Sequence, residues 1–101
     1  TNDTIILERS FYKNHVIKSN KVFNLSTDKG VIRTYHENDQ LEVIYTTKRI
    51  QAHGNYKKYN KRGKLILEGN HKEGRRDGEW IKYGVFGIRK TTMHRFGKIV
   101  D

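Results

Sequence analysis

The sequence contains no cysteine and no proline. Without cysteine, a disulfide scaffold and thiolate metal sites are excluded. Without proline, one strand breaker is missing from the whole chain. No apolar run approaches the roughly 20 residues that a membrane-spanning helix needs, so no transmembrane segment is expected. Apolar residues are scarce: they make up 34% of the 101 residues, against 32% charged, which is too few for a deep core in a chain the length of one domain. Low hydrophobicity with high net charge also describes disordered chains. However, 11% of the residues are aromatic, a class that disordered segments lack. The combination predicts a thin structure, a sheet with modest burial. No secretory signal pattern is present, yet the first residue is Thr1 rather than Met. A trimmed or processed start is therefore expected, with the cytoplasm favoured and export left open.

The charged residues are unbalanced: 21 Lys and Arg against 11 Asp and Glu give a net charge of +10. Such a balance suits nucleic acid, an acidic membrane surface or an acidic protein, or simply keeps a narrow sheet in solution. Its distribution is uneven. Residues 1–29 carry +2, residues 30–53 carry 0, residues 54–77 carry +5 and residues 78–101 carry +3.

Landmarks recur every 24 residues. Gly30, Gly54 and Gly78 form one series, Tyr35, Tyr59 and Tyr83 a second, and Ile32, Tyr56 and Trp80 a third. Leu41 matches Leu65, and Val43 matches Leu67. One period earlier, Phe11, Ile17 and Asn14 fall under Tyr35, Leu41 and Asn38. The chain thus reads as one domain, 1–101, of four repeats: a degenerate 6–29, then 30–53, 54–77 and 78–101. Gly63 and Gly74 are eleven apart while Gly87 and Gly97 are ten apart, which marks a one-residue deletion in the last copy.

Each repeat offers two strands. In the third, a short strand Gly54–Tyr59 is followed by a turn at Asn60–Gly63 and an alternating strand Lys64–His71. A second turn is expected at Glu73–Gly78, where Asp77-Gly78 is a hairpin signal. No window shows helical periodicity with caps at both ends. Two strands per repeat predict an all-β fold: one elongated antiparallel meander sheet of stacked hairpins. Equivalent residues of successive repeats would then lie about 9.6 Å apart. The tyrosine series and the Ile32–Tyr56–Trp80 series would form two rows, a spine rather than a central core. Trp80 and Tyr83 are three apart, so either a bulge lies between them or both faces are packed.

Gly78-Glu79-Trp80-Ile81-Lys82-Tyr83, preceded by Gly74-Arg75-Arg76-Asp77, resembles the MORN repeat (membrane occupation and recognition nexus). It is most similar to the bacterial YwqK-type antitoxin-like variant, whose middle Asn-Gly-Lys element is matched by Asn60-Lys61-Arg62-Gly63-Lys64 with two extra residues. The resemblance is good over Gly54–Lys98, fair from Gly30 and weak before it. It implies an elongated sheet of hairpins, a scaffold or binding role, and no shared catalytic residues or cofactor. Asp39 and His15 depart from the pattern by standing where a turn glycine belongs, and Gly84-Val85-Phe86-Gly87 is unusually apolar for a turn.

Two groups of residues are candidate binding sites. Lys57, Lys58, Lys61, Arg62, Arg75 and Arg76 are candidates for an anion such as nucleic acid or acidic lipid, with Tyr56 or Tyr59 stacking on bases. Against this, the tyrosine series also runs through the neutral repeat, at Tyr35, which favours a structural role for the tyrosines and a turn-covering role for the cations. Val85, Phe86 and Ile88 form the second candidate. As a turn they would expose an apolar patch for a partner, and as a terminal cap they would fold back over the spine. A free sheet edge is a further route to association, including a homodimer. Catalytic and metal sites are not expected. Ser10, Ser19 and Ser26 lie in the degenerate repeat, His36-Glu37 are neighbours that point apart, and the five histidines have no ligand spacing. The expected function is a non-enzymatic, MORN-like module without a cofactor that binds a protein, a cognate toxin being the specific version. The alternative is a binder of anionic surfaces through the basic C-terminal half.

Overall fold

The computed structural model describes residues 4–49 and 51–100. Thr1 and Asp101, the expected limits of the domain, lie outside them. Nine strands follow in chain order: β1 (Thr4–Phe11), β2 (Ile17–Asn24), β3 (Lys29–Tyr35), β4 (Leu41–Lys48), β5 (Gln51–Tyr59), β6 (Leu65–Lys72), β7 (Arg75–Tyr83), β8 (Arg89–Arg95) and β9 (Lys98–Val100). They form a single antiparallel sheet in which spatial order equals sequence order, an open meander of stacked hairpins. The molecule measures 45 × 33 × 19 Å, the thinness of one sheet with side chains on both faces. No helix among the described residues is long and apolar enough to cross a membrane.

The 24-residue period is a backbone period. Turns at Tyr12–Val16, His36–Gln40, Asn60–Lys64 and Gly84–Ile88 each close with the first N–H donating to the last carbonyl, at 2.8, 2.8, 2.9 and 2.6 Å. The fourth residue of each turn, His15, Asp39, Gly63 or Gly87, has φ between 69° and 82°. One residue beyond each of the first three turns is an unpaired extra. The register steps from Ser10↔Ser19 to Phe11↔Ile17, from Thr34↔Val43 to Tyr35↔Leu41, and from Lys58↔Leu67 to Tyr59↔Leu65. Lys18, Glu42 and Ile66 are therefore bulge residues. In the fourth copy Lys82↔Lys90 and Tyr83↔Arg89 stay in step. The one-residue deletion in the last copy is the loss of this bulge.

Gly78 does different work from the hairpin turn expected of its Asp-Gly context. The expected turn Glu73–Gly78 is confined to Glu73–Gly74, and β7 already runs from Arg75. Likewise β5 begins at Gln51, so it is longer than the expected Gly54–Tyr59. Gly54 and Gly78 sit inside these strands with φ of 96° and 73°. The register there slips by two residues, from Thr47↔Ala52 to Tyr45↔Tyr56 and from Asn70↔Asp77 to Glu68↔Ile81. A left-handed residue is what a bulge and a hairpin turn both demand, and so the same dipeptide signals either.

Because β7 pairs with β8 in step from Gly78 to Tyr83, Trp80 and Tyr83 point to opposite faces. Both faces are packed. Trp80 lies on Gly69, where an added Cβ would be 2.2 Å from the ring, whereas Tyr83 donates to Oε2 of the adjacent Glu68 at 2.5 Å. Trp80, 2% exposed, is the only buried large apolar side chain among the described residues.

Candidate functional site

The face that carries Trp80 is built by register. Tyr45, Tyr56 and Gly69 are successive cross-strand partners, and the tryptophan ring covers the glycine. Ring centroids are 5.8 Å apart for Tyr45–Tyr56 and 5.3 Å for Tyr56–Trp80. His71 and His94 meet Trp80 edge-on at 5.0 and 6.2 Å. The indole N–H donates to the Asn70 carbonyl at 2.9 Å, and the Arg76 guanidinium lies 4.2 Å over the ring. Such aromatic and cation contacts stabilise a thin sheet that has little volume to bury. Burial, reinforced by the Arg76 charge, lowers the His71 pKa. Burial also raises that of Tyr56. The Ile32–Tyr56–Trp80 series is thus continuous in its second half. No ring pair among the described residues joins Tyr35, Tyr59 and Tyr83.

The six cations singled out from the sequence do not form one patch. Lys58 and Arg76 lie beside the aromatic cluster on the tryptophan face, in a depression of about 530 Å³. Lys57 is on the opposite face, across from Glu68. Lys61 and Arg62 are exposed in the Asn60–Lys64 turn, and Arg75 lies at the Glu73–Gly74 hairpin. In place of the missing members the structure brings Lys82 and Lys90 into the depression. Sequence reasoning missed these two because their proximity depends on the register of β7 and β8. The signal within reach was parity, since Lys82 shares a face with Trp80.

The four equivalent turns differ in what they carry. At the second and third positions stand Lys13-Asn14, Glu37-Asn38, Lys61-Arg62 and then Val85-Phe86. Neighbouring turns are laced together. Asn14 Nδ2 donates to the Glu37 carbonyl at 3.4 Å, and Asn38 Nδ2 to the Lys61 carbonyl at 2.8 Å. Tyr12 Oη and His36 Nε2 reach the carbonyls of Tyr35 and Tyr59 at 2.7 and 2.9 Å. The lacing stops at the third turn. There Asn60 Oδ1 turns back to accept from the N–H groups of Arg62 and Lys64, at 2.9 and 3.0 Å, and Arg62 replaces the asparagine. The Gly84–Ile88 turn is left untied to its neighbour. It is not a cap: Val85, Phe86 and Ile88 are 71%, 96% and 64% exposed. Phe86 has φ 57°, ψ 28°, a conformation that a bulky side chain adopts only against strain.

Among the described residues, no group of three or more His, Cys, Asp or Glu is placed to hold a metal ion. His36 is tied to a turn carbonyl, and His71 and His94 belong to the tryptophan cluster. Compared with protein-family models, curated proteins and solved structures, the chain matches none.

Proposed function

We propose that this chain is a non-enzymatic, MORN-like repeat module that binds a protein through the Gly84–Ile88 turn. The observation that carries the reading is Phe86, an aromatic side chain at positive φ and 96% exposed, on a turn whose three equivalents carry polar residues. The other three turns close with the same outer hydrogen bond while carrying polar residues at their second and third positions, so closing a hairpin here does not require Val85 and Phe86. Strained backbone clusters at functional sites, and at Phe86 it coincides with the most exposed large apolar side chain among the described residues. An aromatic anchor with aliphatic neighbours fits an apolar pocket on a partner. The flanking Arg89 favours a pocket with an acidic rim. An antitoxin-like role is the specific version, with a cognate toxin as the partner, and it draws on the sequence resemblance alone.

The test is co-purification from the native host with wild type, Phe86→Ser and the turn control Lys61→Ala. A single acidic protein held in a fixed ratio by wild type and by the control, and lost with Phe86→Ser, is the expected result. Recovery of the same proteins by all three overturns the assignment of this turn. In the antitoxin-like version, the retained protein is encoded in the neighbouring reading frame.

A further inference from the structure

We infer that the tryptophan face is a binding site for single-stranded nucleic acid, which lies across β5–β8. Lys58, Leu67, Lys82 and Lys90 are directly opposite one another in successive strands. At about 4.8 Å per strand, this row places cations at about 0, 10 and 14 Å along a line perpendicular to the strands. Arg76 stands beside the row over Trp80. Among the described residues, none of these four cations has a carboxylate within 4.0 Å, whereas Lys21 and Arg49 elsewhere do. The described carboxylates on this face are at its other end and engaged: Glu8 with Lys21 at 3.4 Å, and Glu42 with Thr34 and His36 at 3.0 and 3.7 Å. Lys82 directly opposite Lys90 is a like-charge pair that destabilises a sheet. No described carboxylate lies within 4.0 Å of either lysine to offset it, and a bound polyanion would.

The shape of the site selects among anions. The row lies in a depression of about 530 Å³ whose apolar surface includes Leu67 and Ile99. Cations set beside apolar surface suit a ligand that alternates phosphates with rings. Half-buried Tyr45 and Tyr56 in the adjoining row add stacking surfaces. A duplex or a bilayer presents its phosphates on a rigid convex or flat surface, while a flexible single strand can enter a depression on the broad face of a sheet. This site is distinct from the Gly84–Ile88 turn, and neither assignment requires the other.

Fluorescence anisotropy of the full chain with a labelled oligouridylate of about twelve nucleotides tests it, with a site size in the range used by sheet-based binders. Four phosphate contacts give a salt slope of about −2.8, hence a loss of about 50-fold in affinity between 50 and 200 mM salt. Lys82→Gln with Lys90→Gln should halve that slope and weaken binding at least about tenfold at 50 mM salt. The turn variant Lys61→Gln with Arg62→Gln should bind within about twofold of wild type, because those cations lie outside the depression. Both double variants change exposed residues, and circular dichroism verifies that each keeps the sheet. Phosphatidylserine vesicles and uridine monophosphate serve as competitors. Failure to bind at 50 mM salt overturns the proposal, as does equal weakening by the two double variants. Binding to the vesicles without binding to the oligonucleotide assigns the face to a lipid surface and overturns it too.

Discussion

At the scale of single residues, the molecule depends on one ring laid on one glycine. A Cβ at Gly69 would stand 2.2 to 2.6 Å from three carbons of the Trp80 indole. The ring has no room to retreat: its N–H is bound to the Asn70 carbonyl, Arg76 covers it, and Tyr56 and His71 flank it. Gly69→Ala is therefore expected to cost about 3 kcal/mol, the upper end of overpacking penalties, measured by urea denaturation. Gly74→Ala is the comparison. Nothing lies within 4 Å of its added methyl, but φ is 84°, so about 1 kcal/mol of backbone strain is expected. Equal costs for the two would mean that the indole does not rest on the backbone. The 24-residue period placed Trp80 in a structural row, and alternation placed Gly69 on one face of its strand. What joins the two is the slip in register at Gly78, which no spacing in the sequence displays.

At the scale of elements, each copy is a hairpin whose turn requires a left-handed fourth residue, and the copies meet that requirement unequally. Gly63 and Gly87 do so without strain, while Asp39, at φ 72°, and His15, at φ 69°, carry side chains there. Asp39→Gly should stabilise the protein by about 0.5 kcal/mol, the relief of left-handed strain less the added freedom of the unfolded chain. For a domain of this size that is a rise of about 2–4 °C in the thermal midpoint, readable by calorimetry. A fall would show that the aspartate carboxylate does something for the turn beyond filling it. These positions were legible because glycine in two copies labels the same place in the others. The bulges were not. Gly78 looks like a turn glycine, since bulge and turn make the same demand on φ, and only strand pairing tells them apart. Nor could charge counting find the cationic row, because its members come from three strands: Lys82 and Lys90 meet across β7 and β8, and Lys58 joins them only by way of Leu67 in β6.

At the scale of the whole molecule, a sheet without a second layer has no common core to couple its ends. Strands pack against their sequence neighbours, with the one buried large apolar side chain among the described residues, Trp80, resting on Gly69, while β9 is three residues long and far less packed against β8 than any other consecutive pair. The all-β meander was readable from period and alternation because those patterns are local. The proposed binding surfaces are places where a copy departs from the period, or where registers converge, and repetition is silent about both. Stability in such an array is a sum of neighbour terms, so it should vary along the chain. Native-state hydrogen exchange measures that gradient. The slowest amides are expected in β5–β7 beneath the aromatic cluster. Those of β1 and β9 should exchange at least about tenfold faster, a difference of about 1.4 kcal/mol in opening free energy. Protection of the same size from β1 to β9 would require that the sheet open only as one unit, and coupling of that kind cannot come from one buried indole near one end.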